Sequence, residues 1–248
     1  MTAERSPDDP DWPAVTAPAA LDLLELDGSV AECRACPRLV AWREQVATEK
    51  RAAFRDQTYW GRPAPGFGDP AAGILIVGLA TAAHGANRTG RMFTGDRSGD
   101  FLFAALHAAG LANQPTSTHI DDGLRLTGVR ITAPVHCAPP ANRPTPDERR
   151  RCGPWLSREL ELVRPRVAVV LGGFGWDALL RTLEEQGWAV PRPRPRFGHG
   201  AEVTLRRGEA SLTLLGCFHV SQQNTFTGRL TPAMIGAVLA RARELAGV

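Results

Sequence analysis

Lysine is almost missing from this chain. Lys50 is the single lysine among 29 basic residues, and arginine supplies the rest. With so much Ala, Gly and Pro alongside, the bias reads first as compositional background, although Arg is also the better bidentate ligand for phosphate. A net charge of +3 over 248 residues permits nucleic-acid binding without demanding it. No apolar run approaches the roughly 20 residues of a bilayer span, which excludes a helical membrane protein. The opening "MTAERSPDDPDWPAVTAPAA" lacks the basic start and apolar centre of a secretory signal, so a cytoplasmic protein is expected. Its acidic, proline-rich composition predicts a disordered leader over 1–25, followed by a single domain over 26–248. There is no internal repeat, no lysine-bearing P-loop and no G-x-G-x-x-G, so those phosphate-binding readings fail.

What is present is alternation. "GILIVGL" (73–79), "VRITAPVH" (129–136), "VAVVLGG" (167–173) and "SLTLLGCF" (211–218) are short apolar runs with β-branched residues and turn signals at their ends. Helical stretches separate them. "TPDERRRCGPWLSRELELVRP" opens on Thr145, Pro146 and Glu148, a capping-box spacing, with Gly153-Pro154 expected to break or restart the helix. "LTPAMIGAVLARARELAGV" places Ile235, Val238, Leu239, Ala242 and Leu245 on one face. "SGDFLFAALHAAG" and "FGWDALLRTLEEQG" each close on a glycine. The pattern predicts a three-layer α/β/α sandwich around a mostly parallel four-stranded sheet. Ligands of such sheets sit beyond the carboxyl ends of the strands, so the polar loops after the strands should converge on one crevice.

Two of those loops carry unusual chemistry. "GLATAAHGANRTGRMFTGD" (78–96) has glycines for close approach, His84, Asn87, Arg88 and Arg91 as polar groups, one aromatic in Phe93, and no carboxylate until Asp96. Backbone N–H groups at a helix start and two arginines suit an anion. "HVSQQNTFTGRLTP" puts His219 at a strand end, followed by Ser221, Gln222, Gln223, Asn224 and Thr225, more hydrogen-bonding side chains than a solvent loop requires. The stretch "RPRPRFGHG" (192–200) reads as a phosphate-contacting basic loop or a solvated linker, with the linker favoured.

Cys33, Cys36, Cys137, Cys152 and Cys217 complete the inventory. No strand precedes the "CRAC" pair, which disfavours a thioredoxin-like redox motif. One close pair and two separated thiols suit a tetrahedral zinc or an iron-sulfur cluster, and the spacing alone leaves the choice open. Cys217, inside an apolar strand, reads as a core thiol.

Together the two loops, "CAPPANRPTP" and the four cysteines resemble family 5 (type B) of the uracil-DNA glycosylases, the iron-sulfur branch of that superfamily, over roughly residues 30–247. The resemblance implies a monomeric hydrolase of N-glycosidic bonds. It would release uracil, and other deaminated bases such as hypoxanthine or modified pyrimidines, from DNA to leave an abasic site for base excision repair. It implies a structural [4Fe-4S] cluster on Cys33, Cys36, Cys137 and Cys152. Gly78, Leu79, Ala80, His84, Phe93 and Asn142 would bind the extruded base, with Phe93 stacking on it. His219 would donate to the uracil carbonyl as negative charge grows there. Ser221, Gln222, Gln223 and Asn224 would meet bases in the minor groove and Arg229 a phosphate.

Two absences mark the subtype. Related classes carry an acidic or amide residue just after the first glycine of the first motif, where this chain has Leu79 and Ala80. Asp96 is then the nearest carboxylate to orient water or stabilise the sugar cation, with helix capping as its plain alternative. Where relatives place a uracil-reading asparagine, four residues before the third cysteine, stands Ala133, and Asn142 is the substitute from the adjoining loop. That exchange predicts a broader base range. The competing functions are a non-catalytic iron-sulfur or zinc module that binds nucleic acid, and an enzyme of this fold acting on a small phosphorylated or nucleoside substrate.

Overall fold

The computed structural model describes residues 5–248. Its elements run α1 (Trp12–Ala19), α2 (Leu23–Glu32), α3 (Pro37–Glu49), β1 (Phe67–Gly68), β2 (Ile74–Val77), α4 (Ala86–Thr89), α5 (Arg97–Ala108) and β3 (Val129–Thr132). They continue with α6 (Pro146–Val163), β4 (Val167–Leu171), α7 (Gly173–Glu185), β5 (Glu202–Arg207), β6 (Ala210–Cys217), α8 (Gln222–Phe226) and α9 (Pro232–Ala246).

The sheet has the order β1-β3-β2-β4-β6-β5. The four expected strands form its parallel centre, and two antiparallel edge strands make it six-stranded instead of four-stranded. Both additions are invisible to an apolar-run criterion. β1 is two residues long, and β5, "EVTLRR", is mostly solvent-facing, with Leu205 its one buried residue. Gly208, at φ +58°, makes the tight turn from β5 into β6.

Strand alternation divides the core. Ile74 and Ile76 of β2 face α5 and α9 and pack with Leu102, Phe103, Ile235 and Leu239. Leu75 and Val77 face the other way, onto α6 and α7, and pack with Leu156, Trp176 and Leu179. Every residue of β2, β3 and β4 is buried, as a sheet covered on both faces requires. The strand order turns back at β2, with β3 on one side and β4 on the other, and such a reversal opens a crevice at the carboxyl ends.

The expected caps form. Thr145 and Glu148 close a capping box on α6, and Thr231 accepts from the Met234 N–H at the start of α9. Helix α6 nevertheless runs unbroken through Gly153-Pro154. Cys152, Trp155, Leu156, Glu159 and Leu160 are buried on its inner face, and their packing outweighs the hydrogen bond that Pro154 removes.

Residues 12–25 also depart from expectation. Residues 1–4 of the expected leader lie outside the described residues, but α1 docks on the domain through Trp12, whose ring meets Trp155 edge-on at 5.4 Å. Arg158 donates through Nε and Nη2 to the Ala20 carbonyl at 3.0 and 2.8 Å. Asp27 of α2 accepts from Arg130 of β3, which also pairs with Glu159 of α6, tying this helical pair to the sheet. The acidic, proline-rich composition hid one well-placed tryptophan and one acidic anchor.

Candidate active site

The loops after β2, β3 and β6 enclose a cavity of about 450 Å³. Its lining includes Leu79, Ala80, Phe93, Asp96, Ala133, Asn142, His219, Ser221 and Gln223. Three loops distant in sequence meet here because their strands are neighbours with carboxyl ends on one side. The Gly78 N–H donates to the Thr132 carbonyl at 2.8 Å and Ala80 bridges Val135, so the first two loops continue the sheet pairing to the cavity floor.

Gly78 leaves room for Phe93. A Cβ at Gly78 would stand 3.1 and 3.2 Å from two ring carbons of Phe93. A Cβ at Gly99 would lie 1.6 Å from the Phe93 carbonyl oxygen, so α5 can begin against this residue only through glycine. Phe93 itself has φ +53°, and Ala141 and Asn142 have φ +53° and +54°. Of five non-glycine residues in the left-handed region among the described residues, these three line this cavity. Each such conformation costs about 1–3 kcal/mol and persists only where surrounding contacts enforce it.

For Phe93 those contacts come from the loop's two arginines, which corrects the reading of them as anion-binding hands. Arg88 donates to the His84 carbonyl at 2.9 Å, to Gln57 and to the Gly95 carbonyl at 2.7 Å. Arg91, 3% exposed, donates to Thr94, Ser117 and Asp122. Both point inward and brace the turn that presents Phe93. His84 is likewise turned aside: its Nδ1 is hydrogen-bonded to the Tyr59 hydroxyl at 3.0 Å, and it does not line the cavity.

Asp96 occupies both positions considered for it. Its Oδ1 accepts from the Gly99 N–H at 2.9 Å, capping α5, while the carboxylate lines the cavity and packs on Gly85, where a Cβ would be 2.0 Å from Oδ2. Burial raises its pKa, opposed by the Gly99 and Ser98 N–H groups. His219 lies across the cavity, its ring centroid 6.2 Å from that of Phe93. Burial alone lowers its pKa from 6.5 to about 4, so the imidazole is neutral at pH 7.

The stretch after His219 is ordered as α8. Gln222 and Gln223 are exposed, whereas Asn224 turns inward and donates to the His219 carbonyl at 2.8 Å, fixing the histidine's backbone. Arg229 is exposed, with its guanidinium 4.7 Å from the Phe218 ring centroid. The residue that sequence reasoning passed over is Phe226, 68% exposed, with Arg97 stacked on it at 5.5 Å. An aromatic among polar residues was the available signal. Residues 192–200 are no solvated linker: Phe197 packs on Trp176 and Phe218, and Trp176 donates to the Pro195 carbonyl at 2.9 Å.

Behind the loop after β3 lies a second, enclosed space. Cys33, Cys36, Cys137 and Cys152 line it together, with Arg43, His136 and Trp155. All four cysteines are free thiols, and burial pushes each pKa up, Cys36 to about 12 and Cys137 to about 11. N–H groups already point at two sulfurs: Arg43 Nη1 donates to Cys137 Sγ at 3.0 Å and the His136 backbone N–H to Cys152 Sγ at 3.4 Å. Arg43 Nε and Trp155 Nε1 are buried there without a partner. No group of three or more His, Cys, Asp or Glu among the described residues has the geometry to hold a single metal ion. The donor set, four thiols ringed by N–H groups, fits a group wider than one ion. Among the described residues no helix is long and apolar enough to cross a membrane.

Residues 65–243 match the family model described as the uracil DNA glycosylase superfamily. The chain is 57% identical over 234 residues to the type-5 uracil-DNA glycosylase of Mycobacterium bovis, covering 94% of this chain and 85% of that one. It is 53% identical over 221 residues to the type-5 enzyme of Thermus thermophilus, covering 89% and 96%. Against the type-5 enzyme of Pyrobaculum aerophilum the figures are 45% over 218 residues, 88% and 91%.

Proposed function

The chain belongs to the uracil-DNA glycosylase superfamily, among its type-5 members, and from that premise we propose that it hydrolyses the N-glycosidic bond of uracil extruded from DNA, leaving an abasic site. The observation that carries this reading is the single cavity in which a braced aromatic, a neutral histidine and a carboxylate face one another. A flipped base needs a stacking surface, and Phe93 supplies one rim of the slot. As the bond to the sugar breaks, negative charge gathers on the base and positive charge on the sugar. Neutral His219 donates a ring N–H to the base carbonyl and requires no proton transfer to do so. Asp96, with Oδ1 held by Gly99, keeps its other oxygen for the sugar cation or the attacking water.

Asn142 reads the base edge in place of an amide at Ala133, which lines the same cavity. With an alanine on the floor and the amide on a loop, hypoxanthine and modified pyrimidines are also substrates. Gln222 and Gln223 approach the minor groove, Phe226 is the apolar wedge beside them, and Arg229 meets a phosphate. Cys33, Cys36, Cys137 and Cys152 hold a [4Fe-4S] cluster, which supplies structural cross-linking and takes no part in base release. The protein acts in the cytoplasm as a monomer.

The test is incubation with end-labelled duplexes carrying one uracil opposite G or A, or one hypoxanthine, followed by alkali. Strand scission that persists in chelator is expected. Absence of scission from every substrate removes the glycosylase reading and leaves a nucleic-acid-binding module.

A further inference from the structure

Arg43 is a charged side chain in an unusual place. It sits mid-way along α3, 2% exposed, and among the described residues no carboxylate lies within ion-pairing distance of it. Of the other three buried arginines, Arg91 is paired with Asp122 and Arg130 with both Asp27 and Glu159, while Arg88 lacks a carboxylate but has its donors satisfied by Gln57 and the His84 and Gly95 carbonyls. Burying a guanidinium without a counter-charge is costly, and natural proteins rarely do it. The two partners that Arg43 has are the Cys33 carbonyl, at the end of α2, and Cys137 Sγ, both accepting from Nη1 at 3.0 Å. Its Nε has no partner, and it lines the same enclosed space as the four cysteines. Neither partner is a full negative charge while the thiols are protonated. Four thiolates around an iron-sulfide core leave a net anion, because the core offsets only part of their charge.

We infer that Arg43 is the counter-cation of this cluster, hydrogen-bonding the Cys137 sulfur and offsetting the charge of the four-thiolate assembly so as to raise its reduction potential and slow its loss. The inference rests on the cluster assigned under the proposed function. It explains why a side chain with no carboxylate partner is buried at this spot, and why its donors are directed at sulfur. The same arginine touches the base cavity's supports: its backbone carbonyl accepts from Asn87 Nδ2 at 3.1 Å, in the loop that presents Phe93. Arg43 is therefore a positioning residue for the thiolate assembly through its side chain, while its backbone, whatever the side chain, ties α3 to the β2 loop.

The experiment compares purified wild-type protein with Arg43→Lys and Arg43→Met. Iron and sulfide content, visible absorbance and the cluster's reduction potential are measured, and the thermal melt of each protein is recorded. Arg43→Met is expected to lose iron on the order of tenfold faster under mild oxidant. Its potential should move in the negative direction, with Arg43→Lys in between. A wild-type protein without iron would remove the cluster reading itself, before any variant is compared. A coloured, iron-loaded wild type whose potential and iron retention are unchanged in Arg43→Met would overturn the assignment of Arg43 alone. If both variants fail to fold, nitrogen-15 arginine labelling of an Arg151→Lys protein, which removes the other arginine lining this space, decides the matter. A nitrogen hyperfine coupling in the reduced cluster's magnetic resonance spectrum supports the proposal, and its absence overturns it.

Discussion

The loop after β3 faces two unlike spaces. Cys137 points into the closed, thiol-lined one, and Asn142, five residues on, into the open cavity shared with Phe93 and His219. The closed space gains its order from burial: one tryptophan, a buried arginine and thiols whose pKa values burial has raised. The open cavity gains its order from enforced strain, with three left-handed residues in its lining, of which Phe93 is braced by arginine contacts made outside the cavity. One is built to stay shut around something permanent, the other to stay shaped while its contents come and go. Their nearness implies that damage to the first should reach the second, and that damage to the second should stay local.

The largest effect should come from breaking the closed side. Cys152→Ala removes one of the four clustered thiols, a buried one, and under the proposed cluster is expected to yield colourless, poorly soluble protein with a much lower melting temperature, since structural metal sites contribute directly to folding. Wild-type colour and melting would separate the thiols from any shared centre. On the open side, His219→Ala should lower the single-turnover excision rate by about 10²–10³, the range for removing one donor to a developing anion, while binding to uncleavable uracil DNA and the melt hardly change. Equal losses of rate and binding would reassign His219 to DNA contact. Asn142→Ala comes next, with about a tenfold loss in uracil excision, equivalent to one hydrogen bond. Unchanged excision would remove the idea that it replaces an amide at Ala133.

The smallest effect is one of pH. Because burial lowers the His219 pKa to about 4, its neutral form persists far below the ordinary value of 6.5. The excision rate should therefore show no step near 6.5. Stability behaves differently: between 6.5 and about 4 the unfolded chain binds a proton at this histidine that the folded chain does not. Acidification through that window should destabilise the wild type more than His219→Leu, as followed by urea unfolding at a series of pH values. Identical slopes would mean that the ring is not shielded.

How much of this could be read in advance varies with what each feature depends on. The four central strands are buried along most of their length, so their runs are largely apolar and stand out even with Arg130 and Thr132 in β3. β5 has a polar exposed face and becomes a strand only because β6 offers it a partner. Trp12 looks like one residue of a polar leader until Trp155, distant in the chain, is placed against it. Composition also reported that Arg88 and Arg91 are cationic without reporting their direction, and both turn inward. The cavity's main members were legible because their loops carry unusual density of glycine and amide. The left-handed backbone of Phe93 was not, since nothing in a phenylalanine announces it.

The hairpin at Gly208 has a practical consequence for handling the molecule. β6 runs from Ala210 toward His219, so the Gly208–Glu209 turn lies at the opposite end of the sheet, roughly 25 Å from the cavity at strand rise. A fluorophore or surface linker attached at exposed Glu209 would hold the protein with its cavity facing outward, free to meet long DNA.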